Sequence, residues 1–559
     1  MRGQAQEPDP PQRLTSDQRR VSPAPGQPEP EGERAGPEPS AWAPLRIGLF
    51  RVLWIAALVS NVGTWMQTVG AQWLLVQEAH ASVLVALVQT ATTLPAVLFA
   101  LVAGVLADIL DRAKLLLAVL SCLTAVGVAL TALTAADQMP PALLLTFTFL
   151  LGTGVILIGP AYQSLVPDLV PRAQVPAASA LSSISINLAR AVGPAVAGLV
   201  ITKIGVAAVF AVNTATFVIY AIVVASHPHL GGTTGSHERF LPGLRAGGRY
   251  VRHAPVVRRI LLRAVLFLLP GSALWALLPL VATTRFDLGP GGYGALLGAL
   301  GVGAIAGAFV LPPVRARLSA NAMVAVASLV YATALVVLVL SPDVALIIPA
   351  LLLAGAAWIT FLSNVNATMQ LFLPQWVRAR GLSVYQMVLF GGQAAGAAIF
   401  GVAADVAGLV PSLLLAALLM AAGAATIWFW PFHDVAHLDR SQVRWPEPIL
   451  LLGEELSGGP VLVQLTYTIA ADKKPQFLQA MTRLRLSRLR TGATDWALYR
   501  DARNPRLFVE LFGVPSWEEH VRQHRERLTA TDVQYRDAVA ALSDPPPRTE
   551  HYLSADVPE

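Results

Sequence analysis

The chain has 559 residues; 55% are hydrophobic, only 13% are charged, mean hydropathy is +0.57 and the formal net charge is +6. A soluble domain carries about 25% charged residues, so this chain cannot cover a water-facing surface along its whole length. That excludes an ordinary cytosolic enzyme, and the apolar excess excludes a disordered protein. What remains is a multi-span membrane protein with soluble pieces attached.

Residues 1–43 are rich in Pro, Gly, Gln, Glu and Arg and hold no apolar run. They read as a disordered cytoplasmic tail. The missing apolar h-region excludes a secretory signal.

From 45 to 431 one apolar stretch follows another, each near the 20 residues that cross a bilayer core. Spans are predicted near 50–77, 82–107, 113–135, 141–161, 177–202 and 204–226. After a polar loop at 227–255, six more are predicted near 256–284, 290–312, 320–340, 343–372, 379–404 and 410–431. The fold class is therefore all-α and polytopic: twelve transmembrane helices in two six-helix halves, 45–226 and 256–431. Arg46, Arg51, Arg112, Lys114, Arg172, Arg315, Arg317, Arg378 and Arg380 fall in alternate connections on one side. The central loop adds Arg239, Arg245, Arg249, Arg252, Arg258 and Arg259, whereas the other side has Lys203 and Arg285. The positive-inside rule then makes the loop and both termini cytoplasmic.

The single cysteine, Cys122, excludes intrachain disulfides and multi-thiolate zinc sites, and is expected to be a small buried hydrophobe. Arginine far outnumbers lysine, which reads as codon bias; no nucleic-acid partner is inferred.

Residues 440–559 change character, with dense, balanced charge. Val461–Ile469 alternates like a strand and Asp472–Arg490 has helical periodicity. Trp496–Arg500 and Leu507–Val514 read as strands, Trp517–Arg527 and Thr531–Leu542 as helices, and Thr549–Leu553 as a last strand. The order β-α-β-β-α-β is the ferredoxin-like pattern of a soluble α+β domain.

Polar groups inside a bilayer are costly unless they face protein or water. Asn61, Trp65, Thr68 and Gln72 share one face of the first span. Gln89, Asn187, Arg190, Asn366, Gln370, Gln386 and Gln393 add polar positions in other spans of both halves. Together they outline a substrate pathway near the midplane; the alternative is that the amides brace helix packing. The third, ninth and twelfth spans have almost no such residues and are expected to face lipid. Arg190 lies mid-span with no acid at similar depth. It is a fixed charge for an anionic substrate group, or else a brace to carbonyls and Asn187. The missing acid leaves the coupling ion open, with proton coupling as one option.

Between the second and third spans stand Gly104, Asp108, Asp111, Arg112 and Lys114. An acid beside basic residues at a helix end can form a charge clasp. This resembles the cytoplasmic loop motif of the major facilitator superfamily, G-x-x-x-D-R-x-G-R-[RK], with Ile109 in place of Arg and Asp111 in place of Gly. Gly193, Pro194 and Gly198 are similar to that superfamily's antiporter motif, where proline removes a helix hydrogen bond and glycine allows close packing. Phe50-Arg51-Val-Leu-Trp54, Ser60-Asn61-Val-Gly63-Thr-Trp65-Met-Gln67 and Asn187-Leu-Ala-Arg190 resemble the transmembrane secretion effector branch, which is enterobactin-exporter-like. The appended segment with Arg490-Thr-Gly492 and Ser516-Trp517-Glu-Glu-His520 is similar to the extra domain of that branch.

The resemblance implies a multi-pass exporter in the plasma (inner) membrane, working on a small molecule by alternating access. A siderophore, an antibiotic or a related amphiphilic metabolite is the expected substrate. Two alternatives stand beside it: a transporter fused to an active monooxygenase-like enzyme, and a transporter-like membrane sensor. Binding or dimerisation is the preferred role for the appended domain. His520 and His524 are spaced i, i+4 and read as a solvated helix face, with His551 elsewhere. Trp496, Tyr499 and Trp517 read as core or pocket walls. No catalytic residue, metal ligand or cofactor is assigned, and no Gly-x-x-x-x-Gly-Lys-[Ser/Thr] loop is present to cradle phosphates.

Overall fold

The computed structural model describes residues 40–227, 248–431, 443, 445 and 459–554. Most of the expected tail and of the central loop, and the start of the appended domain, lie outside the described residues. The first described segment lies where the first six-helix half is expected to begin: Ala43–Arg46 forms a 3-10 turn, and Leu45 and Ile47 pack against Phe50 and Val166.

Two sets of six helices follow. The first holds α1 (Gly48–Leu75), α2 (Ala81–Ile109), α3 (Arg112–Ala135), α4 (Pro141–Leu169), α5 (Val175–Lys203) and α6 (Val206–Ala225). The second holds α7 (Pro255–Leu280), α8 (Pro290–Arg315), α9 (Ala320–Leu340), α10 (Val344–Phe372), α11 (Gln375–Ala407) and α12 (Leu409–Ala425). Among the described residues, eleven of these helices are long and apolar enough to cross a membrane; α12, with 17 residues, is apolar but shorter. The fourth helix runs beyond its expected end at 161, through Pro160 and Pro167, to Leu169. A hydrogen-bond ladder does not stop where apolarity stops, and neighbouring helices tolerate the prolines. The last helix stops earlier than expected, at Ala425. Arg263 of α7 explains that end. Its guanidinium donates to the carbonyls of Gly423 at 2.9 Å and Trp430 at 2.6 Å, and to the Thr426 hydroxyl at 2.5 Å. A cation at a helix C-terminus satisfies carbonyls that the helix itself leaves bare.

Lipid gives no hydrophobic drive between helices, so close backbone approach must hold them. Small residues line the seams. A Cβ at Gly198 would lie 2.6 Å from the Pro290 carbonyl oxygen, and one at Gly301 would lie 2.4 Å from the Ala191 Cα, so α5 and α8 touch backbone to backbone. At Gly401 it would meet Ala86 Cβ at 2.4 Å, joining α11 to α2. Within the second set, Gly303 on α8 would meet the Leu352 carbonyl of α10 at 2.0 Å.

The appended domain is a four-stranded antiparallel sheet in the order β2-β3-β1-β4. Its strands are β1 (Val461–Thr468), β2 (Ala497–Arg500), β3 (Leu507–Val514) and β4 (Arg548–Leu553); its helices are α13 (Lys474–Thr491), α14 (Trp517–Arg522) and α15 (Ala530–Ala540). This layout is compatible with the expected ferredoxin-like pattern. Alternate residues of β1, Val461, Val463, Leu465 and Tyr467, are buried against Phe477, Met481 and Phe512. The domain rests on one end of the helical bundle. The Arg527 guanidinium lies 5.1 Å from the Trp376 ring centroid, Trp376 meets Tyr250 edge-on at 5.7 Å, and Arg249 reaches Glu519 at 3.8 Å. This is the proximal end of the bundle, and the opposite end is distal.

Cys122, expected to be buried, is exposed on α3. Tyr499, expected in the core or a pocket wall, is also exposed. Periodicity in an all-apolar helix or a short edge strand carries no signal for which side faces in.

Replacing Gly303 with leucine should lower stability by about 1–3 kcal/mol, the usual cost of overpacking. Thermal melting of detergent-solubilised protein checks this, and the same change at Gly48, whose Cβ would meet nothing within 4 Å, should leave the midpoint unmoved.

Candidate functional site

The polar face of α1 looks toward α5 and then toward the second helix set. Asn61 Nδ2 donates to Ser185 Oγ on α5 at 3.3 Å. One turn on, Trp65 packs against Trp275 of α7 with centroids 5.9 Å apart. Thr68 is turned back on its own helix and donates to the Thr64 carbonyl. Gln72 is buried at the distal end and joins the two sets: its Nε2 donates to the Trp275 carbonyl, and its Oε1 accepts from the Tyr293 hydroxyl of α8.

Arg190 sits at the centre of this arrangement. Its guanidinium lies 5.5 Å from the Trp65 ring centroid, a cation–π distance. Its Nε is enclosed and has no hydrogen-bond partner. The expected brace to Asn187 is not made, because Asn187 Nδ2 donates to the Ser183 carbonyl at 2.9 Å instead. Trp275, which packs on Trp65, also contacts the buried Tyr331 hydroxyl, which itself donates to the Gly271 carbonyl at 2.8 Å. Leaving a buried donor unmade costs about 1–3 kcal/mol, so the site is built to receive acceptor atoms. The contrast with Arg263, buried and fully bonded to carbonyls, separates an arginine that holds the fold from one held ready by it.

The remaining pathway residues divide. Gln393 is half-buried and donates to its own helix at the Leu389 carbonyl, and Gln89 is half-buried on α2. Asn366, Gln370 and Gln386 are exposed, all in the proximal part of α10 and α11. The structure thus gathers Asn61, Trp65, Gln72 and Arg190, and does not bring Asn366, Gln370 or Gln386 into contact with them. Sequence reasoning missed Trp275 and Tyr293, because an aromatic residue in an apolar run gives no polar signal. It also missed Arg263, which stands close to the loop arginines in the sequence.

Contacts that join the two sets lie toward the distal end. They include Gln72 with Trp275 and Tyr293, the α5–α8 glycine seam, and Thr90 donating to the Ala394 carbonyl at 3.0 Å. His80, at the start of α2, meets Asp405 of α11 at 2.9 Å. This contact joins a polar side chain from each set across the distal seam.

The proximal motif is rearranged relative to expectation. Arg112 pairs with Asp168 of α4 at 2.7 Å and donates to the Ser164 carbonyl. Asp111 caps α3 by accepting from the Lys114 backbone N–H at 2.9 Å, and Lys114 is exposed. Capping satisfies an orphan N–H, a role that a clasp reading overlooks. The side chain of Asp108 lies outside the described residues. A Cβ at Gly104 would meet nothing within 4 Å, so no helix approaches it closely here. Gly193, Pro194 and Gly198 serve close approach: a Cβ at Gly193 would lie 2.6 Å from Trp65 Cβ, and Pro194 and Gly198 back onto Gly294.

In the appended domain His520, expected on a solvated face, is buried; its ring faces His524 at 4.8 Å and His551 at 5.0 Å. The ring packs against Trp517 of its own helix and His551 of β4, which turns it inward. Among the described residues no group of three or more His, Cys, Asp or Glu side chains is placed to hold a metal ion. Burial first, then the neighbouring histidines, push the His520 pKa down to about 3. The unfolded chain takes up a proton there near pH 6.5, while the folded site refuses it until about 3. Stability should therefore fall as pH drops from about 6.5 toward about 3. Melting curves at pH 7 and pH 5 check this, and His520→Gln should flatten the dependence.

Known proteins agree with this architecture. The profile of a family described as "Transmembrane secretion effector" matches residues 39–559. The chain is 25% identical to the staphyloferrin A transporter of Staphylococcus aureus over 45% of its own length, and the match spans 64% of that transporter, just under two thirds. It is 27% identical to the multidrug efflux pump Tap of Mycolicibacterium fortuitum over 67% of this chain and 93% of that pump. It is 24% identical to macrolide efflux protein A of Streptococcus pyogenes over 43% of this chain and 60% of that protein. Among solved structures, a bacterial homologue of the lysosomal transporter Spinster, in an inward-facing and unoccupied conformation, has a TM-score of 0.55 at 14% identity, covering 69% of this chain and 97% of that one. The peptide transporter PepTSo gives 0.56 at 12% identity, over 68% and 97%. Apolar helices and bacterial transporter relatives together make this a multi-pass membrane protein.

Proposed function

The chain belongs to the transmembrane secretion effector family, and on that premise we propose that it is a secondary active exporter of a small molecule, working by alternating access. One observation carries the reading: Arg190, held inside the bundle over Trp65 with its Nε unpartnered. A charge placed at such depth costs about 2.5–3.5 kcal/mol even on insertion scales, and among the described residues no acid pairs with it. An anionic or acceptor-rich substrate does. The flat ring of Trp65 beside it suits a planar group on the same molecule.

Alternating access follows from the seams. The positive-inside rule makes the proximal end cytoplasmic, and α12 completes twelve spans, with both termini on that side. Contacts toward the distal end, with polar residues exposed proximally, then correspond to a state closed to the outside. Opening the distal end would break the bonds from Gln72 and the His80–Asp405 pair. Closing the proximal end would bring a helix against Gly104.

The relatives support export from the plasma (inner) membrane, and their names span a siderophore, macrolides and multiple drugs. A carboxylate-bearing siderophore or a related amphiphilic metabolite fits the donors around Trp65. The appended domain is read as a ferredoxin-like binding module rather than an enzyme.

Arg190→Ala should reduce efflux at least tenfold for anionic substrates while the amount in the membrane stays normal. An efflux screen with iron-chelating and antibiotic compounds, with and without a proton gradient, measures this; unchanged efflux sinks the role of Arg190. Gln72→Ala, which removes the distal bonds, should shift cysteine accessibility near the distal end upward without abolishing substrate binding.

A further inference from the structure

A cavity of about 160 Å³ lies in the appended domain between the sheet and the segment 520–536. By the same measure a cavity of about 150 Å³ in another protein takes one benzene ring. Two rows of side chains across the sheet form the floor. His551, Val463 and Phe512 are in register in one row, and Thr549 and Leu465 in the next. Arg488, Arg536, His520, His524 and Trp445 complete the lining.

The two arginines are not equivalent. Arg488 is neutralised: its Nε donates to Glu510 at 3.2 Å, and that fully buried carboxylate also accepts from Tyr467 at 2.7 Å and Trp496 at 2.9 Å. Arg536 stacks over Trp445 with its guanidinium carbon 4.2 Å from the ring centroid, and it has no ion pair among the described residues. Burial, with Arg488 nearby, pushes its pKa down to about 10, the mark of a cation short of an anion. Trp445 is itself fixed by its backbone N–H, which donates to the His524 carbonyl at 3.1 Å.

His520 supplies the complementary group. Gln523 Nε2 donates to Thr491 Oγ1 at 2.8 Å, which fixes the amide. Its Oε1 therefore accepts, and the contact at 3.3 Å makes His520 Nδ1 the protonated nitrogen. The other nitrogen, Nε2, is then a lone-pair acceptor, buried and without a partner. One unpaired cation and one orphan acceptor line a cavity with apolar walls and room for one ring.

We propose that this cavity binds a small aromatic acid, with its carboxylate on Arg536, a ring hydroxyl donating to His520 Nε2, and the ring against Val463 and Leu465. This site is separate from the one around Arg190 and does not depend on the transport reading. The full-length protein in lipid nanodiscs, titrated calorimetrically with 3- and 4-hydroxybenzoate, tests it. One of these isomers should saturate a single site per chain. Benzoate, lacking the hydroxyl, and 4-hydroxybenzyl alcohol, lacking the carboxylate, should each bind at least tenfold more weakly. Arg536→Gln should weaken the acid at least tenfold, whereas Arg536→Lys, which keeps the charge, should retain the preference for the acid over the alcohol. Hydrogen exchange should slow at 461–465, 520–524 and 548–551. No saturable binding of either isomer, undiminished binding in Arg536→Gln, or protection confined to 48–425 would overturn the proposal.

Discussion

Close backbone approach between helices is the constraint on which the rest of this protein rests. In lipid, burying leucine against leucine gains nothing over leaving it against acyl chains, so association depends on packing that only small residues permit. The α5–α8 contact shows this directly: Gly198, Gly294 and Gly301 bring two backbones so near that a single methyl would strike main-chain atoms. The same holds where Gly401 of α11 meets α2. Because these seams cross between the two helix sets, they also fix where the sets touch and where they part.

Once the seams are set, the polar side chains have few choices. Gln67 and Asn213 bond each other at 2.9 Å inside the first set, and Arg263 is consumed by the end of α12. These are braces. Arg190 is held by the same seams, but its Nε is given nothing to bond. A fully satisfied interior rigidifies, whereas an unsatisfied donor is a demand for something from outside. The difference between scaffold and site lies in the partners and not in the residue type.

The appended domain follows the same logic in water. Glu510 and Asp532 are both buried, and each is surrounded by donors, Asp532 by Arg490, Ser487 and Thr529. Removing one partner of such a pair leaves a buried charge exposed to the full desolvation penalty. These two clusters anchor α13 and α15 to the fold. Contacts from Arg527 and Glu519 toward Trp376 and Arg249 then tie the domain to helix ends of the second set. A module placed there touches the segment leading into α7 and the start of α11.

Much of this was written in one dimension. Runs of apolar residues, alternation in Val461–Ile469, charge confined to alternate connections and the placement of glycine all reflect local backbone geometry, so spans, strands and their order could be read directly from the sequence. Arg190 and the Asn61–Gln72 face could be picked out for the same reason, since a polar residue in an apolar run stands out. What a side chain meets is decided by residues far away in the chain. Only the tertiary structure separated Arg190 from Arg263, turned Asp111 from a clasp into a cap, joined Gln72 to Trp275 and Tyr293, paired His80 with Asp405, and buried His520 with a lone pair facing a cavity. Periodicity reports which way a residue points on its own element; hydrogen bonding reports which element folded against it.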